Sequence, residues 1–361
     1  MAESTIYPHV KYPSLENYKP KFKGKFNRLY GDIDIIVTEK IHGSNVCIVG
    51  TKTFKTLNSE WEIKLGSRNR WIDPEETFHN FHSVYEKYKD DIIKLFDELY
   101  CQINANADNG DNGDNASNGP ITIRLFGEIF GGKYGDQKDD TAIRVQKEPN
   151  YCPFNDIAIF DIMVNNTKYP ILQTHQLLQK YSLKTPPIIY RGSFDTFIEE
   201  FDINSFNSVL SKEFYNLDFI DTPKATEGVT IRTTNPSPRY KEQIILKYKK
   251  DWALECGKPK NNQNNGDNGD NGDSEFERTC YSMVNENRFN SYISKNTMED
   301  VLDSELLGHH IKEIVADIII DIKKEFPENP ENPTLMKDIK KIKKNLSRRV
   351  YPMFKEYIKS L

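Results

Sequence analysis

Residues 38–46 read TEKIHGSNV and place one lysine between a strand pattern and a tight glycine turn. The preceding residues 33–37, IDIIV, are β-branched and apolar apart from one aspartate, which predicts a half-buried or fully buried strand. Residues 46–49 after the turn predict the returning strand. A lysine at such a strand end has its stem held by the sheet and its amine directed into the cleft that the sheet lines. Lys40 is therefore the candidate nucleophile.

A nucleophilic lysine must lose its proton, because an ammonium group cannot attack a phosphate, and burial or neighbouring cations favour that loss. Such cations occur at Lys247 and Lys249, which alternate along a strand pattern and so share one face of it. The alternative for these two is a lysine-rich edge strand that resists aggregation. Taken alone, residues 38–46 fit a polar hairpin loop beside an exposed lysine better than a catalytic site, because short motifs often match by chance.

The order of the surrounding motifs changes that balance. Downstream of the lysine come GSR at residues 66–68, LFGEIFG at 125–131, AIFDI at 158–162, EGVTIR at 227–232 and LKYK at 246–249. KIHG at residues 40–43 is similar to the Lys-x-(Asp/His)-Gly signature of covalent nucleotidyltransferases. The whole series resembles the motifs of the RNA ligase 2 family, which includes the RNA-editing ligases, and the resemblance covers residues 30–252.

The resemblance implies an α+β fold, with a nucleotidyltransferase (adenylyltransferase) domain of antiparallel sheets and flanking helices and then a small all-helical C-terminal domain. We expect these domains at residues 1–255 and 275–361, joined by a low-complexity linker at 256–274. Residues 104–119 are dominated by Asn, Asp and Gly, and we expect this insert to be disordered because it cannot bury apolar surface. Helical periodicity in the first domain covers residues 75–100, 173–181 and 194–210.

The C-terminal residues predict helices at 301–307, 311–326 and 335–358. They lack the run of short alternating strands that an OB-fold requires. Residues 335–361 contain nine Lys or Arg against two acidic residues, a local charge of +7 in a chain of net charge −5. We interpret this cluster as a surface for an RNA backbone, and its alternative is a solvated helix face.

The resemblance also implies roles in catalysis. Lys40 accepts AMP from ATP, Lys247 and Lys249 clamp the α-phosphate, and His42 assists the chemistry or binds the RNA end. Thr38 departs from the family pattern, since relatives often carry a basic residue two positions before the nucleophile. This departure bears on the sealing step.

Further residues are implied in nucleotide binding. Glu39 contacts the adenine, Asn45 assists at the RNA end, Glu128 holds the ribose, and Phe160 stacks on the adenine. Arg68 contacts the nucleotide and the RNA end, as the fork of an arginine suits phosphate and ribose oxygens. The alternatives are a core residue for Phe160 and a solvated basic loop for Arg68. The whole set is Glu39, Lys40, Asn45, Arg68, Glu128, Phe160, Glu227, Lys247 and Lys249.

The implied activity is that of an ATP-dependent RNA ligase, which joins an RNA 3′-hydroxyl to a 5′-phosphate through lysyl-AMP and RNA-adenylate. ATP is the substrate and Mg²⁺ or Mn²⁺ the cofactor, with Glu227 as metal ligand, because Mg²⁺ accepts one or two carboxylates and water. One alternative is a DNA ligase or capping-type enzyme, which would carry an OB-fold and usually Asp in place of His42. Another is an RNA-binding relative that has lost turnover.

Composition limits the cellular setting. A net charge of −5 gives the whole chain no bulk attraction for nucleic acid, so a polyanion site must come from local clustering. The five cysteines form no Cys-x-x-Cys pair, which favours a reducing compartment, cytoplasmic or nuclear. No signal peptide, transit peptide or membrane-spanning run is visible, and we expect a monomer that binds RNA and no membrane.

Overall fold

The computed structural model describes residues 8–19, 22–30, 33–52, 60–108, 120–133, 141–146, 148–216, 226–236, 243–253, 275–293, 296, 298–325 and 334–359. The chain divides into two compact units, Met1–Lys250 and Asp251–Leu361. The expected linker at residues 256–274 lies outside the described residues. The described residues include no helix that could span a membrane.

The described strands of the first unit form two five-stranded sheets. In chain order they are β1 (Glu16–Asn17), β2 (Ile35–Lys40), β3 (Ser44–Lys52), β4 (Glu62–Ser67), β5 (Ile121–Gly131), β6 (Asn155–Val164), β7 (Thr167–Lys168), β8 (Ile188–Gly192), β9 (Gly228–Thr233) and β10 (Ile245–Lys249). Sheet A has the order β1-β10-β9-β2-β8, and sheet B has the order β4-β3-β5-β6-β7. Each pairing is antiparallel except that of β1 with β10.

Helices flank the sheets in the first unit and make up the second. The first unit contains α1 (Phe22–Tyr30), α2 (Phe81–Asp108), α3 (Ile171–Lys180), α4 (Phe194–Glu200) and α5 (Val209–Tyr215). The described part of the second unit contains α6 (Glu275–Ser282), α7 (Glu286–Ile293), α8 (Met298–Leu302), α9 (Leu307–Glu325) and α10 (Thr334–Lys359). The α+β fold class predicted from the sequence is confirmed.

Strand alternation gives sheet A one apolar face and one polar face. Because successive side chains on a strand point to opposite sides, Thr38 and Lys40 of β2 share a face with Thr230 of β9 and Lys249 of β10. We call this the cleft face of sheet A. The opposite face packs with α4 in a buried cluster that includes Ile35, Val37, Phe194, Phe197, Val229, Ile231 and Leu246.

Helix α2 covers one face of sheet B. Apolar side chains recur on it at helical spacing and pack on β3 and β5 in the largest buried cluster of the first unit, which includes Val46, Ile48, Ile92, Leu95, Phe96, Leu99, Ile123 and Leu125. Gly50 of β3 allows the helix to approach closely, since a Cβ there would stand 2.3 Å from the Phe96 ring. Each large side chain buried here contributes about 1.5–3 kcal/mol.

A buried ion pair joins the two sheets. Arg232 of β9 contacts both carboxylate oxygens of Asp161 on β6, at 2.5 and 3.1 Å. The hydroxyl of Tyr12 donates to the same carboxylate at 2.5 Å. Burial acts to raise the pKa of Asp161, but the charge and hydrogen bonds of Arg232 outweigh it, so the pKa lies below its ordinary value. The cleft face of sheet A is therefore fixed opposite sheet B.

The second unit has its own core. Ile342, Leu346, Val350 and Phe354 repeat every fourth residue along α10 and are fully buried. They pack with α9 residues in the same cluster, among them Ile314, Ile318 and Ile322.

Several sequence expectations differ from the structure. The helix expected at residues 301–307 is α8 (Met298–Leu302), and the next helix, α9, begins at Leu307. Helix α2 continues to Asp108, so the first residues of the Asn/Asp/Gly insert are helical, and residues 109–119 lie outside the described part. The single helix expected at residues 194–210 is two helices, α4 and α5. The break arises because Ser208 is extended and its side chain accepts the backbone N–H of Ser211, which starts a new helix.

Candidate active site

Lys40 is the last residue of β2, and its amine lies against a buried glutamate. Lys40 pairs in register with Gly228 of β9, which pairs in turn with Lys249 of β10. Nζ of Lys40 donates to Oε2 of Glu227 at 2.5 Å, and Nζ of Lys249 lies 2.6 Å from Oε1. Residues from three separate sequence blocks are thus in direct contact.

Glu227 is the centre of this cluster. Its side chain is 2% exposed, and Nδ1 of His42 lies 3.3 Å from the same oxygen that Lys40 contacts. Burial acts to raise the pKa of Glu227, but Lys249, Lys40 and His42 lower it more strongly, so the pKa lies well below its usual range. Glu227 is therefore an anion in a pocket of cationic and hydrogen-bonding groups.

Gly228 is required between the two lysines. Its φ of +147° is a conformation that side chains rarely adopt, and a Cβ there would stand 2.2 Å from the carbonyl oxygen of Tyr248. A larger residue would push β9 from β10. The glycine thus keeps Lys249 close enough to contact the carboxylate of Glu227.

The turn after Lys40 carries the chain from sheet A to sheet B. The backbone N–H of Gly43 donates to Oε1 of Glu128 at 3.1 Å, and a Cβ at Gly43 would stand 2.0 Å from the carbonyl oxygen of Ile129. Burial raises the pKa of Glu128 to about 7, although Lys40 acts to lower it. The sequence-predicted Glu128 therefore borders the same turn as the nucleophile.

Lys247 lies one row further from the turn. It pairs with Thr230, which pairs with Thr38, so the three residues form the next row on the cleft face of sheet A. Two residues along a strand separate this row from that of Lys40 and Lys249, a distance of about 7 Å. Lys247 and Lys249 share one face, as the alternation predicts.

Sheet B contributes three further sequence-predicted residues. Asn45 stands directly opposite Glu128 across the pairing of β3 with β5. Phe160 is half-buried, and its ring meets Tyr12 edge-on at 5.0 Å between centroids. Arg68 donates from Nη2 to Oγ of Ser14 at 2.6 Å, and its charge acts to lower the pKa of Glu128.

Glu39 is oriented differently from its neighbour Lys40. It shares the apolar side of sheet A with its partner Val229, and its side chain is buried. Oε2 accepts the backbone N–H groups of Val209 and Leu210 at 2.9 and 2.8 Å, at the start of α5. Burial raises the pKa of Glu39 to about 7. The structure commits this carboxylate to a helix end and does not bring it to the Lys40 amine.

Two residues that the sequence analysis missed contact the turn. The backbone N–H of His42 donates to the Tyr151 hydroxyl at 3.0 Å, and Nε2 of Gln146 donates to the carbonyl oxygen of Gly43 at 2.9 Å. Both lie in the irregular segment between β5 and β6, where no periodicity distinguishes them. A polar residue and a tyrosine outside any strand pattern gave no signal.

The carboxylates at this site suit a hard divalent cation. Among the described residues, no three or more His, Cys, Asp or Glu side chains are grouped to hold a metal. Mg²⁺ needs only one or two carboxylates with water, and Glu227 and Glu128 can supply them. Burial raises the pKa of Glu128 to about 7, and a cation bound nearby would favour its ionised form. The residues present therefore fit such an ion.

Two largely antiparallel sheets, with a strand-end lysine facing a second lysine across a buried glutamate, fit the arrangement expected of a nucleotidyltransferase. The family model described as RNA ligase matches residues 33–249, more than half of the 361-residue chain. The chain belongs to the RNA ligase family.

Solved structures show a similar architecture in RNA ligases of Naegleria gruberi. A substituted form with AMP and Mn is 13% identical, with a TM-score of 0.44, and the match covers 69% of this chain and 59% of that one. The form with pyrophosphate is 12% identical, with a TM-score of 0.41, over 69% and 58% of the two chains. This chain thus spans less than two thirds of those neighbours. No curated protein matches the sequence.

Proposed function

We propose that this protein is an ATP-dependent RNA ligase that seals a 3′-hydroxyl to a 5′-phosphate through covalent lysyl-AMP on Lys40. The observation that carries the proposal is the convergence of the Lys40 and Lys249 amines on Glu227. Family membership supports RNA ligation, and this cluster supports lysine as the group that accepts AMP.

The chemistry begins with release of the Lys40 amine. In the structure the amine is held by Glu227 at 2.5 Å, so this contact opens and the ammonium loses its proton before attack. The nitrogen then bonds to the α-phosphorus of ATP while the bond to the pyrophosphate oxygen breaks. Lys249 and Lys247, on the same face, stabilise the charge that develops on the α-phosphate.

AMP then moves to the RNA. A 5′-phosphate oxygen attacks the lysyl-AMP phosphorus and frees Lys40, and the 3′-hydroxyl next attacks the 5′-phosphate and releases AMP. These steps depend on alignment and charge neutralisation. Glu227 would hold Mg²⁺ or Mn²⁺, which supplies neutralisation of phosphate charge when bound.

The other site residues divide between the nucleotide and the RNA end. We assign Phe160 to adenine stacking, Glu128 to the ribose, and Asn45 and Arg68 to the nucleotide and the 5′-phosphate. For Glu39 we propose an indirect effect on the adenine, through the position of β2, because its carboxylate is bound to α5.

Helix α10 supports RNA binding by the second unit. Lys344, Arg348 and Lys355 are exposed and recur at i, i+4 and i+11, which places them along one side of the helix. The exposed ring of Tyr351 lies between them in sequence and meets Nζ of Lys355 at 5.7 Å. Such a row of cations with an aromatic suits a phosphate backbone with unpaired bases.

The structure describes four of the five cysteines. Cys47, Cys101, Cys152 and Cys280 are free thiols. We propose a cytoplasmic or nuclear monomer that acts on nicked or broken RNA and assists RNA repair.

Labelled nucleotide tests the proposal directly. The protein is incubated with α-³²P-labelled ATP or GTP and then with nicked RNA, nicked DNA, single-stranded RNA or hairpin RNA. We expect a denaturation-resistant adduct with ATP, its loss in Lys40→Ala, and sealing of RNA. The control is Lys180→Ala, which removes a lysine paired with Glu98 at 2.6 Å on the surface. An adduct with GTP, or sealing of DNA alone, would favour the capping or DNA ligase alternative.

A further inference from the structure

The turn between Lys40 and β3 is held by side chains from outside both of its strands. Glu128 accepts the backbone N–H of Gly43, and Gln146 donates to the carbonyl oxygen of the same residue. Tyr151 accepts the backbone N–H of His42 at 3.0 Å. The main chains of His42 and Gly43 are thus held by hydrogen bonds that do not depend on the His42 side chain.

Tyr151 is the most deeply buried of these anchors. It is 0% exposed, and its ring packs in one cluster with Ile41 and with Leu210 of α5. The ring of Phe130 meets it edge-on at 5.5 Å. A tyrosine held on several sides offers its oxygen at a defined position, because the ring has only two side-chain torsions to fix.

The same cluster also secures the residue before the nucleophile. The N–H of Leu210 donates to Glu39 at 2.8 Å, while the Leu210 side chain packs with Tyr151. Lys40 therefore lies between two anchored positions, Glu39 on one side and His42 on the other. A shift of its main chain would strain the buried hydrogen bond from Leu210 to Glu39 or the partly buried one from His42 to Tyr151, and losing either is costly.

We propose that Tyr151 is a positioning residue for the adenylylation step, which sets the direction of the Lys40 amine by holding the main chain of the turn. The inference rests on the proposed function, because it concerns attack by that amine. A displacement of about 1 Å from a productive arrangement can cost about 100-fold in rate. The hydroxyl acts through the His42 backbone and does not itself contact the reacting atoms.

Tyr151→Phe keeps the ring and removes the anchoring oxygen. The matched control is Tyr215→Phe, since Tyr215 packs against the same cluster but donates its hydroxyl to Asp156 at 2.9 Å, away from the turn. In a single turnover with saturating ATP, we expect Tyr151→Phe to form the covalent adduct about tenfold more slowly. The ATP concentration that gives half-maximal rate should stay within about twofold, because the hydroxyl holds the nucleophile and not the nucleotide.

Amide hydrogen exchange provides a readout that needs no activity. Tyr151→Phe should accelerate exchange in peptides covering residues 40–46 by about tenfold, and Tyr215→Phe should leave them unchanged. Equal slowing of the adduct in both variants, or unchanged exchange at the turn in Tyr151→Phe, overturns the inference. If the wild type forms no adduct, the proposed function fails, and the exchange experiment still decides whether Tyr151 anchors the turn.

Discussion

Replacing Lys249 with methionine removes one charge from the buried cluster and keeps most of the side-chain volume. The Lys249 side chain is 7% exposed and that of Glu227 is 2% exposed. Removing one partner of a buried ion pair costs about 3–5 kcal/mol, because the other charge stays buried. Lys40 and His42 still contact Glu227, so we expect the lower end of this range.

Thermal and urea unfolding measure this loss. A free-energy change of about 3 kcal/mol lowers the melting temperature of a unit of this size by about 6–12 °C. The control is Lys180→Met, whose side chain is 57% exposed and pairs with a 22% exposed Glu98. An exposed pair of this kind contributes about 0–1 kcal/mol, so the control should unfold almost as the wild type does.

A double-mutant cycle separates lost charge from lost packing. Adding Glu227→Gln to Lys249→Met removes the carboxylate that has lost one of its two lysine partners, and we expect the two changes to couple by about 1–3 kcal/mol in the recovering direction. Adduct formation with labelled ATP is measured in parallel. Lys249→Met, Glu227→Gln and the double variant should each form much less adduct than Lys180→Met. If Lys249→Met and Lys180→Met unfold alike, the ion pair is not the buried, coupled contact described above.

Three further predictions concern other parts of the chain. Gly228→Ala should cost about 1–3 kcal/mol in thermal unfolding and abolish the adduct, because its Cβ meets the Tyr248 carbonyl and φ is positive. Burial raises the pKa of Glu39 to about 7, so the folded state holds that proton more tightly than the unfolded state, and wild-type stability should fall as pH rises from about 4.5 to 7. Glu39→Gln should remove part of that fall in urea unfolding. The double variant Lys344→Ala, Arg348→Ala should bind RNA more weakly in a filter-binding assay. The slope of log affinity against log salt concentration should fall by the equivalent of about two phosphate contacts, and adduct formation should be unchanged.

The contact of Lys40 with Glu227 and Lys249 was predictable because it depends on strand geometry. Each residue lies at or beside the end of a strand that its own block identifies, and alternation places the lysines on one face. Motif order identified which strands belong together. The pairing of β2 with β9, and of β9 with β10, then brings Lys40 and Lys249 into one row on either side of Gly228, the residue after Glu227.

The orientation of Glu39 also follows from alternation. If the amine of Lys40 points to the cleft, the adjacent side chain must point to the opposite face. No local pattern indicates which groups bind the Glu39 carboxylate on that face, since Val209 and Leu210 are far away in sequence. A buried carboxylate needs such a partner, and a helix N-terminus supplies N–H donors.

Tyr151 and Gln146 were beyond sequence reasoning for a different reason. Their segment has no repeating pattern, and their contacts join residues more than a hundred positions apart.

The extension of α2 into the insert has a third cause. Composition alone predicts disorder there, but a helix that is already formed and packed adds further residues at little cost.

The resting cluster explains how a strongly paired lysine can still serve as a nucleophile. Lys40 and Lys249 share the single carboxylate of Glu227, and His42 adds a further contact, so the two lysines carry more positive charge than this carboxylate offsets. A triphosphate that enters offers the lysines new anionic partners, and the contacts are exchanged rather than lost. While the lysines contact it, the pKa of Glu227 lies well below its usual range, and a divalent cation that replaces them would likewise favour its charged form. The ion pair therefore holds the site ready for ATP without making the release of Lys40 prohibitive.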